Sequence, residues 1–471
     1  MTLVTLSAFD MVAAVRARSI SASELAADAL ARARAAAHLG AFAHLSDELA
    51  LSQARAVDDT IAAGGAEDLA LPGVPCPIKD LAEVEGLPFE AGSRVLAGNV
   101  GKHTDAVAAR LIRAGTLTVG KTSAPEFGFP CYTEPAGGLA AVTPWDPTRG
   151  AGGSSGGAAA AVAAGIVPIA HASDGGGSIR IPASSCGVVG MKPSRGLVST
   201  LPTRTPGPGL VCDGVISRTV RDTALGLEVV AGNRPGDTYV LPHRRGSLLA
   251  ACDGQAPSLR VGVLTTPVIS RTASVHPVCL DAVERAARLL EDLGHRVQEV
   301  GVPFPAERWD AFQAVWTTGA ALLPIPDGAE TLLTPMTRWL REEGRRVSGT
   351  EYATALSAIQ ELTLETALSW ADVDVVLTPT LAQPPARLGA LRNDDDPAAD
   401  FAAQIDYTPW TSIANLTGRP SISLPLHRAE VDDTVLPIGV MLTGRTGFDA
   451  DLVRLAAQLE TADPWPLELP A

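Results

Sequence analysis

The 471-residue sequence predicts an α/β fold with a largely parallel or mixed sheet. Two observations carry that expectation. Strand-like and helix-like runs alternate along the whole chain. Hydrophobic residues make up 46% of it but aromatics only 4%. Ala, Leu and Val must therefore do most of the packing, which suits closely packed helices better than an aromatic-rich β-sandwich.

The elements follow in order. Ser21 and Glu24 form a capping box, and the run after it, LAADALARARAAAHL, is strongly helix-forming. Residues 46–63 read as a second helix. LPGVPCPIKD (71–80) is Pro-rich and then strand-like, ending in a charged pair. DAVAARLIRA (105–114) has helical periodicity, Gly115 stops it, and TLTVG (116–120) reads as a short strand. Residues 123–150 read as a long ordered loop. AAAAVAAGIVPIA (158–170) gives a helix and then a strand. Strands are expected at 260–266, 296–302, 373–380, 420–425 and 437–444. Helices are expected at 277–293, through most of 306–370, and at 449–460.

The totals exclude several classes. Net charge is −15, and no Lys/Arg cluster supplies the basic face that nucleic acid requires. Arg244–Arg245 and Arg345–Arg346 read as solvated surface. The six cysteines lack CxxC spacing and any metal-site grouping. The N-terminal run MTLVTLSAFDMVAAV has no basic leader region, and no run of 18 apolar residues is present. The expectation is a soluble cytoplasmic protein with reduced thiols, no metal, no cofactor and no membrane or nucleic-acid partner.

Three motif matches need weighing. GTLTVGKT (115–122) matches a phosphate-loop pattern, but its interior is β-prone and apolar, which suits a strand. GGSSG (152–156) matches the GxSxG nucleophile elbow, but turn-like residues stand where that elbow needs a hydrophobic strand. The third match is longer. GGSSGG (152–157) and SDGGGSIRIPA (173–183) flank one helix–strand unit, with PIKD (77–80) upstream. GLPFEAGS (86–93), RAGTLTVGKTSAPEFG (113–128), CGVVGMKPSRG (186–196), SRTVRD (217–222), VDVVLTPT (373–380), NLTGRPSISLP (415–425) and PIGVMLTG (437–444) extend the pattern over nearly the whole chain. Together these resemble the amidase signature family of serine hydrolases. TEPAG (133–137) and AHASDGGGSIRIPAS (170–184) look nearest to its cyclic-amide and ω-amino-acid oligomer hydrolases and aryl acylamidases.

The resemblance implies a central mixed sheet flanked on both faces by helices, in one domain over 1–471. Within it, 1–70 would be N-terminal helices, 71–225 the catalytic core, 226–370 a variable pocket region, and 371–471 C-terminal core strands and helix. It implies hydrolysis of a small-molecule, non-peptide amide through an acyl-enzyme, with a homodimer as one assembly open to it. A glutaminase-type subunit of a tRNA-dependent amidotransferase, an acyl-transfer or esterase variant, and a binding-only member of the fold stay as alternatives.

Amide hydrolysis needs a nucleophile, a proton carrier and a site for the oxyanion. The resemblance assigns Lys79 as base, Ser154 as bridge after a cis peptide bond, and Ser178 as nucleophile. An unperturbed lysine has a pKa of about 10.4, so burial must depress that of Lys79 for it to accept a proton. The backbone N–H groups of Gly175, Gly176 and Gly177, with that of Ser178, would form the oxyanion hole. Most relatives place Thr or Ile at position 175. Ser155 supports the triad, Asp174 and Arg180 pair to hold the nucleophile loop, and His171, Cys131 and Cys186 are core residues. Phe129 falls at an acyl-pocket position where the oligomer-amide hydrolases carry a polar residue. Trp316 lies in the variable region that shapes the pocket.

Overall fold

The computed structural model describes residues 6–205, 207–241 and 246–466. Arg244, Arg245 and the first five residues lie outside it. Arg345 and Arg346 are exposed and paired with Glu330 and Glu343. Two helices open the described chain, α1 (Ala8–Arg16) and α2 (Ala22–Ala35), each behind a capping box. In the second, Glu24 N–H donates to Ser21 Oγ at 3.1 Å and Ser21 N–H to Glu24 Oε2 at 2.8 Å. There follow β1 (Phe42–Leu45), α3 (Asp47–Ala62), β2 (Ile78–Lys79), α4 (Ala106–Arg113) and β3 (Gly120–Thr122). The strands form a small sheet in the order β1-β3-β2.

The expected strand at 116–120 is displaced: β3 begins at Gly120. Leu117 makes only an isolated bridge to Pro75. Pro75 and Pro77 have no N–H to extend a ladder against 116–119. All three residues of β3 are buried, and Lys121 is held there at 2.8 Å from Asp80. GTLTVGKT is thus buried structure rather than a phosphate loop.

The chain continues with α5 (Gly156–Ala163), β4 (Ile169–Asp174), α6 (Arg180–Cys186), β5 (Val189–Lys192), β6 (Cys212–Ser217) and α7 (Val220–Val230). Next come α8 (Leu248–Ala251), β7 (Arg260–Val263), α9 (Pro277–Asp292) and β8 (Arg296–Glu299). A helical stretch holds α10 (Asp310–Ala321), α11 (Pro335–Arg346) and α12 (Gly349–Ser369). The chain closes with β9 (Val375–Pro379), α13 (Pro397–Tyr407), α14 (Ser412–Thr417), β10 (Ser421–Val431), β11 (Thr434–Gly444) and α15 (Asp449–Ala462). The central sheet has eight strands in the order β4-β6-β5-β10-β11-β9-β7-β8. It is mixed: β7 pairs in parallel with β8 and β9, and the other neighbours are antiparallel. Helices flank it, with α9 and α15 packed against β10 and β11 and α5 against β4.

Strands β10 and β11 run beyond the expected 420–425 and 437–444 and join in a hairpin. Its two turn residues, Asp432 and Asp433, both have positive φ, the geometry that suits the twist of a two-residue loop. Helix α5, GGAAAAVA, is buried on every side. Alanine loses no side-chain entropy there and lets neighbouring layers approach closely. Among the described residues no helix is long and apolar enough to cross a membrane.

Candidate active site

Three short segments converge at the edge of the Ala-rich core. Lys79 ends β2, Ser154 and Ser155 lead into α5, and Ser178 sits between β4 and α6. Lys79 is fully buried. Its Nζ lies 2.8 Å from Ser154 Oγ, 3.2 Å from Ser173 Oγ and 3.3 Å from the Ser173 carbonyl oxygen. The Gly153–Ser154 peptide bond is cis. Ser155 N–H donates to the Ser178 carbonyl at 3.2 Å, tying the two serine segments together. Ser155 Oγ donates to the Ser173 carbonyl at 3.2 Å.

Burial pushes the Lys79 ammonium down from its ordinary 10.5 to about 7, against the opposing pull of the Asp174 and Asp213 carboxylates. Near neutral pH its amine is therefore available as a proton acceptor. A neutral amine has two N–H bonds and one lone pair. The two oxygens of Ser173 match the N–H bonds, and Ser154 O–H matches the lone pair.

The loop that carries Ser178 is organised by Asp174. Its carboxylate accepts from Gly177 N–H at 2.8 Å and Ile179 N–H at 3.1 Å. It also accepts two bonds from Arg180, both at 2.9 Å, and one from Asn415 Nδ2 at 2.9 Å. Burial alone would raise this carboxyl, but Arg180 overrides it and holds it at about 2. The expectation for Gly177 therefore needs correcting. Its N–H is consumed by Asp174 and is not free for an oxyanion. Gly177 is needed for another reason: its φ is 138°, and an added Cβ would meet Thr411 Oγ1 at 2.6 Å. Among the described residues, the N–H groups of Gly176 and Ser178 meet no protein acceptor.

Gly176 and Ser178 open onto a cavity shared by residues of α10 and α13. Five aromatic rings, Phe129, Trp309, Phe312, Trp316 and Phe401, contribute to its walls. Phe129 meets Trp316 edge-on at 5.4 Å, Trp316 stacks on Phe312 at 5.2 Å, and Phe312 stacks on Trp309 at 5.0 Å. Among the described residues no charged side chain lines it. Gly175 lies beneath this wall, where a Cβ would sit 3.0 Å from the Trp316 ring. The absence of a side chain at 175 is thus the space that Trp316 occupies.

The family model for amidases matches residues 24–453. The chain belongs to the amidase family. It is a hydrolase of carbon–nitrogen bonds other than peptide bonds. A Synechocystis sp. protein named "Putative amidase" is 34% identical, with 97% of this chain and 88% of that protein covered. A component of the glutamyl-tRNA(Gln) amidotransferase of Synechococcus elongatus is also 34% identical, with 96% of each covered. Among solved structures, 6-aminohexanoate cyclic dimer hydrolase aligns with a TM-score of 0.89 at 29% identity, covering 99% of both chains. A bacterial aryl acylamidase aligns at 0.85 and 27%, covering 98% of this chain and 96% of that one.

The fold sets Lys79 against Ser154, ties Ser155 to Ser178, and pairs Asp174 with Arg180 behind the Ser178 loop. Phe129 and Trp316 line the same cavity as Ser178. Cys186 is buried away from it, whereas Cys131 reaches the cavity wall, and burial pushes both thiols up. Sequence reasoning missed three participants. Ser173 holds the lysine amine. Thr411 Oγ1 donates to the Gly176 carbonyl at 2.6 Å. Asn415 bridges Asp174 and Arg180. Ser173 and Asn415 both lie inside quoted motifs, SDGGGS and NLTGRP, but their partners are too distant in sequence to be read from spacing.

Proposed function

We propose that this amidase works through an acyl-enzyme on Ser178, with Ser154 and Lys79 carrying the proton. The observation that carries this reading is the buried Lys79 amine, 2.8 Å from Ser154 Oγ, with the adjoining Ser155 bonded through its N–H to the Ser178 carbonyl. Ser178 Oγ attacks the amide carbonyl while its proton passes to Ser154, and that of Ser154 to Lys79. The oxyanion is received by the N–H groups of Gly175, Gly176 and Ser178. On collapse the C–N bond breaks, and Lys79 returns the proton through Ser154 to the leaving amine. Water then repeats the sequence on the ester and frees the acid. Protonated Lys79 cannot accept, so the rate rises with pH through about 7 and then levels.

The aromatic, uncharged walls support a substrate with an apolar group beside the amide. The amidotransferase relative favours a second reading, release of ammonia from glutamine. Glutamine carries an α-ammonium and an α-carboxylate, and among the described residues the cavity lining holds no charge to receive either. The deciding assay is amine or ammonia release from aliphatic primary amides, anilides, ω-amino-acid oligomers, aryl esters and glutamine, with Ser178→Ala as blank. Turnover of an apolar amide, lost in Ser178→Ala and falling below pH 7, is expected. Turnover of glutamine alone, or full activity in Ser178→Ala, overturns the reading.

A further inference from the structure

A second group of buried polar side chains lies behind Lys79, outside the proton path described above. His171 stands two residues before Ser173 on β4, and the register sets Ser173 opposite Asp213 on β6. The three side chains therefore share one face of the sheet. Lys79 joins them there. Its Nζ bonds Ser173, and its backbone N–H donates to His171 Nδ1 at 3.3 Å. Because Nδ1 accepts, the ring proton sits on Nε2, which faces Asp213 Oδ1 at 3.2 Å. The other Asp213 oxygen accepts from Arg204 Nη2 at 2.8 Å. Arg204 also reaches Asp105 at 3.4 Å. His171 and Asp213 are each only 1% exposed, so little water screens them.

We propose that His171, Asp213 and Arg204 are positioning residues for Lys79: the histidine holds its backbone, and the carboxylate–guanidinium pair tunes the charge that its amine feels. This rests on the reading of Lys79 as the base. The two ions act in opposite directions. Burial has the larger effect and lowers the Lys79 ammonium; the Asp213 carboxylate acts against it by favouring the ammonium form, and the Arg204 cation acts with it. The remaining charges around the amine are themselves paired. Asp174 is bound to Arg180 and feels Lys192 of β5, and Asp80 is bound to Lys121. Neutralising one member of the Asp213–Arg204 pair therefore changes one uncompensated charge behind the lysine.

The sequence makes the test direct, because it holds only four lysines, Lys79, Lys102, Lys121 and Lys192. Labelling the lysine ε-carbons with ¹³C gives four signals, and Lys79→Met assigns the one of interest. Asp213→Asn should move the Lys79 titration midpoint to lower pH and Arg204→Gln to higher pH, each by roughly half a unit or more. The rate at which a fluorophosphonate labels Ser178, followed against pH, should shift in the same two directions. His171→Leu should slow labelling about tenfold, and His171→Asn, which can still accept from the Lys79 N–H, should restore part of it. Midpoints that stay in place or move together, with only the melting temperature changed, overturn the inference. A labelling profile that ignores a shifted Lys79 midpoint counts instead against Lys79 as the base.

Discussion

The two larger hydrophobic clusters of this protein are packed from different materials. The cluster around the central sheet is built mainly from Ala, Val, Leu and Ile, with α5 contributing six buried Ala or Val side chains. The cluster formed largely by α10–α14 gathers Trp309, Phe312, Trp370, Phe401 and Trp410, with Phe129, Trp316 and Trp339 against it. The first holds Lys79, Ser154 and Ser178 in tightly spaced backbone layers. The second presents ring faces to the cavity beside Ser178. Small side chains let three chain segments approach until their polar atoms bond. Large rings define a shape for a substrate. On the proposed function, the difference separates chemistry from recognition, and substitutions in the two regions should fail in different ways.

The largest effect should come from the ion pair that orders the Ser178 loop. Arg180→Met leaves Asp174 charged and buried without its main partner, which should cost about 3–5 kcal/mol in urea unfolding and abolish fluorophosphonate labelling of Ser178. Stability near that of the parent would mean that Asn415 and the backbone N–H groups suffice. A middle effect is expected in the Ala-rich layer. Ala160→Leu forces extra volume into a helix with no exposed face, and about 1–3 kcal/mol should be lost with activity falling in step. The smallest stability change belongs to the aromatic wall. Trp316→Phe keeps a ring against Phe129 and Phe312 and should cost less than about 1.5 kcal/mol. Its mark should be a several-fold change in KM for an apolar amide, with labelling of Ser178 unchanged. If Trp316→Phe instead stops labelling, the two regions are not separable.

What could be read from the sequence was whatever is local in the chain. The Ser21–Glu24 box spans one helical turn, so its bonds follow from spacing. Helices such as 277–293 carry their burial pattern in every turn. The extended hairpin was less legible, because the run from Leu426 to Val435 alternates with polar residues as it leaves the core. Strand β5 was missed because VGMK is short and contains glycine. At the site, Lys79, Ser154 and Ser178 were legible through motif resemblance. The commitment of Gly177 N–H to Asp174 was not, because it depends on how the loop curls. The aromatic wall was only half legible: Phe129 and Trp316 were singled out, whereas Trp309, Phe312 and Phe401 were not. Rings that lie far apart in the chain meet only when α10 and α13 pack over the catalytic loop.

By itself, then, the amino-acid sequence determined the α/β class, the capped helices, the motifs that carry Lys79, Ser154 and Ser178, and the small side chains around them. Each of these is set by neighbours a few residues away or by a contiguous motif. The tertiary structure alone decided the buried setting of Lys79, the division of labour among the glycine N–H groups, the His171–Asp213–Arg204 arrangement and the aromatic cavity. These depend on desolvation and on contacts between segments tens to hundreds of residues apart, and neither is encoded in local spacing.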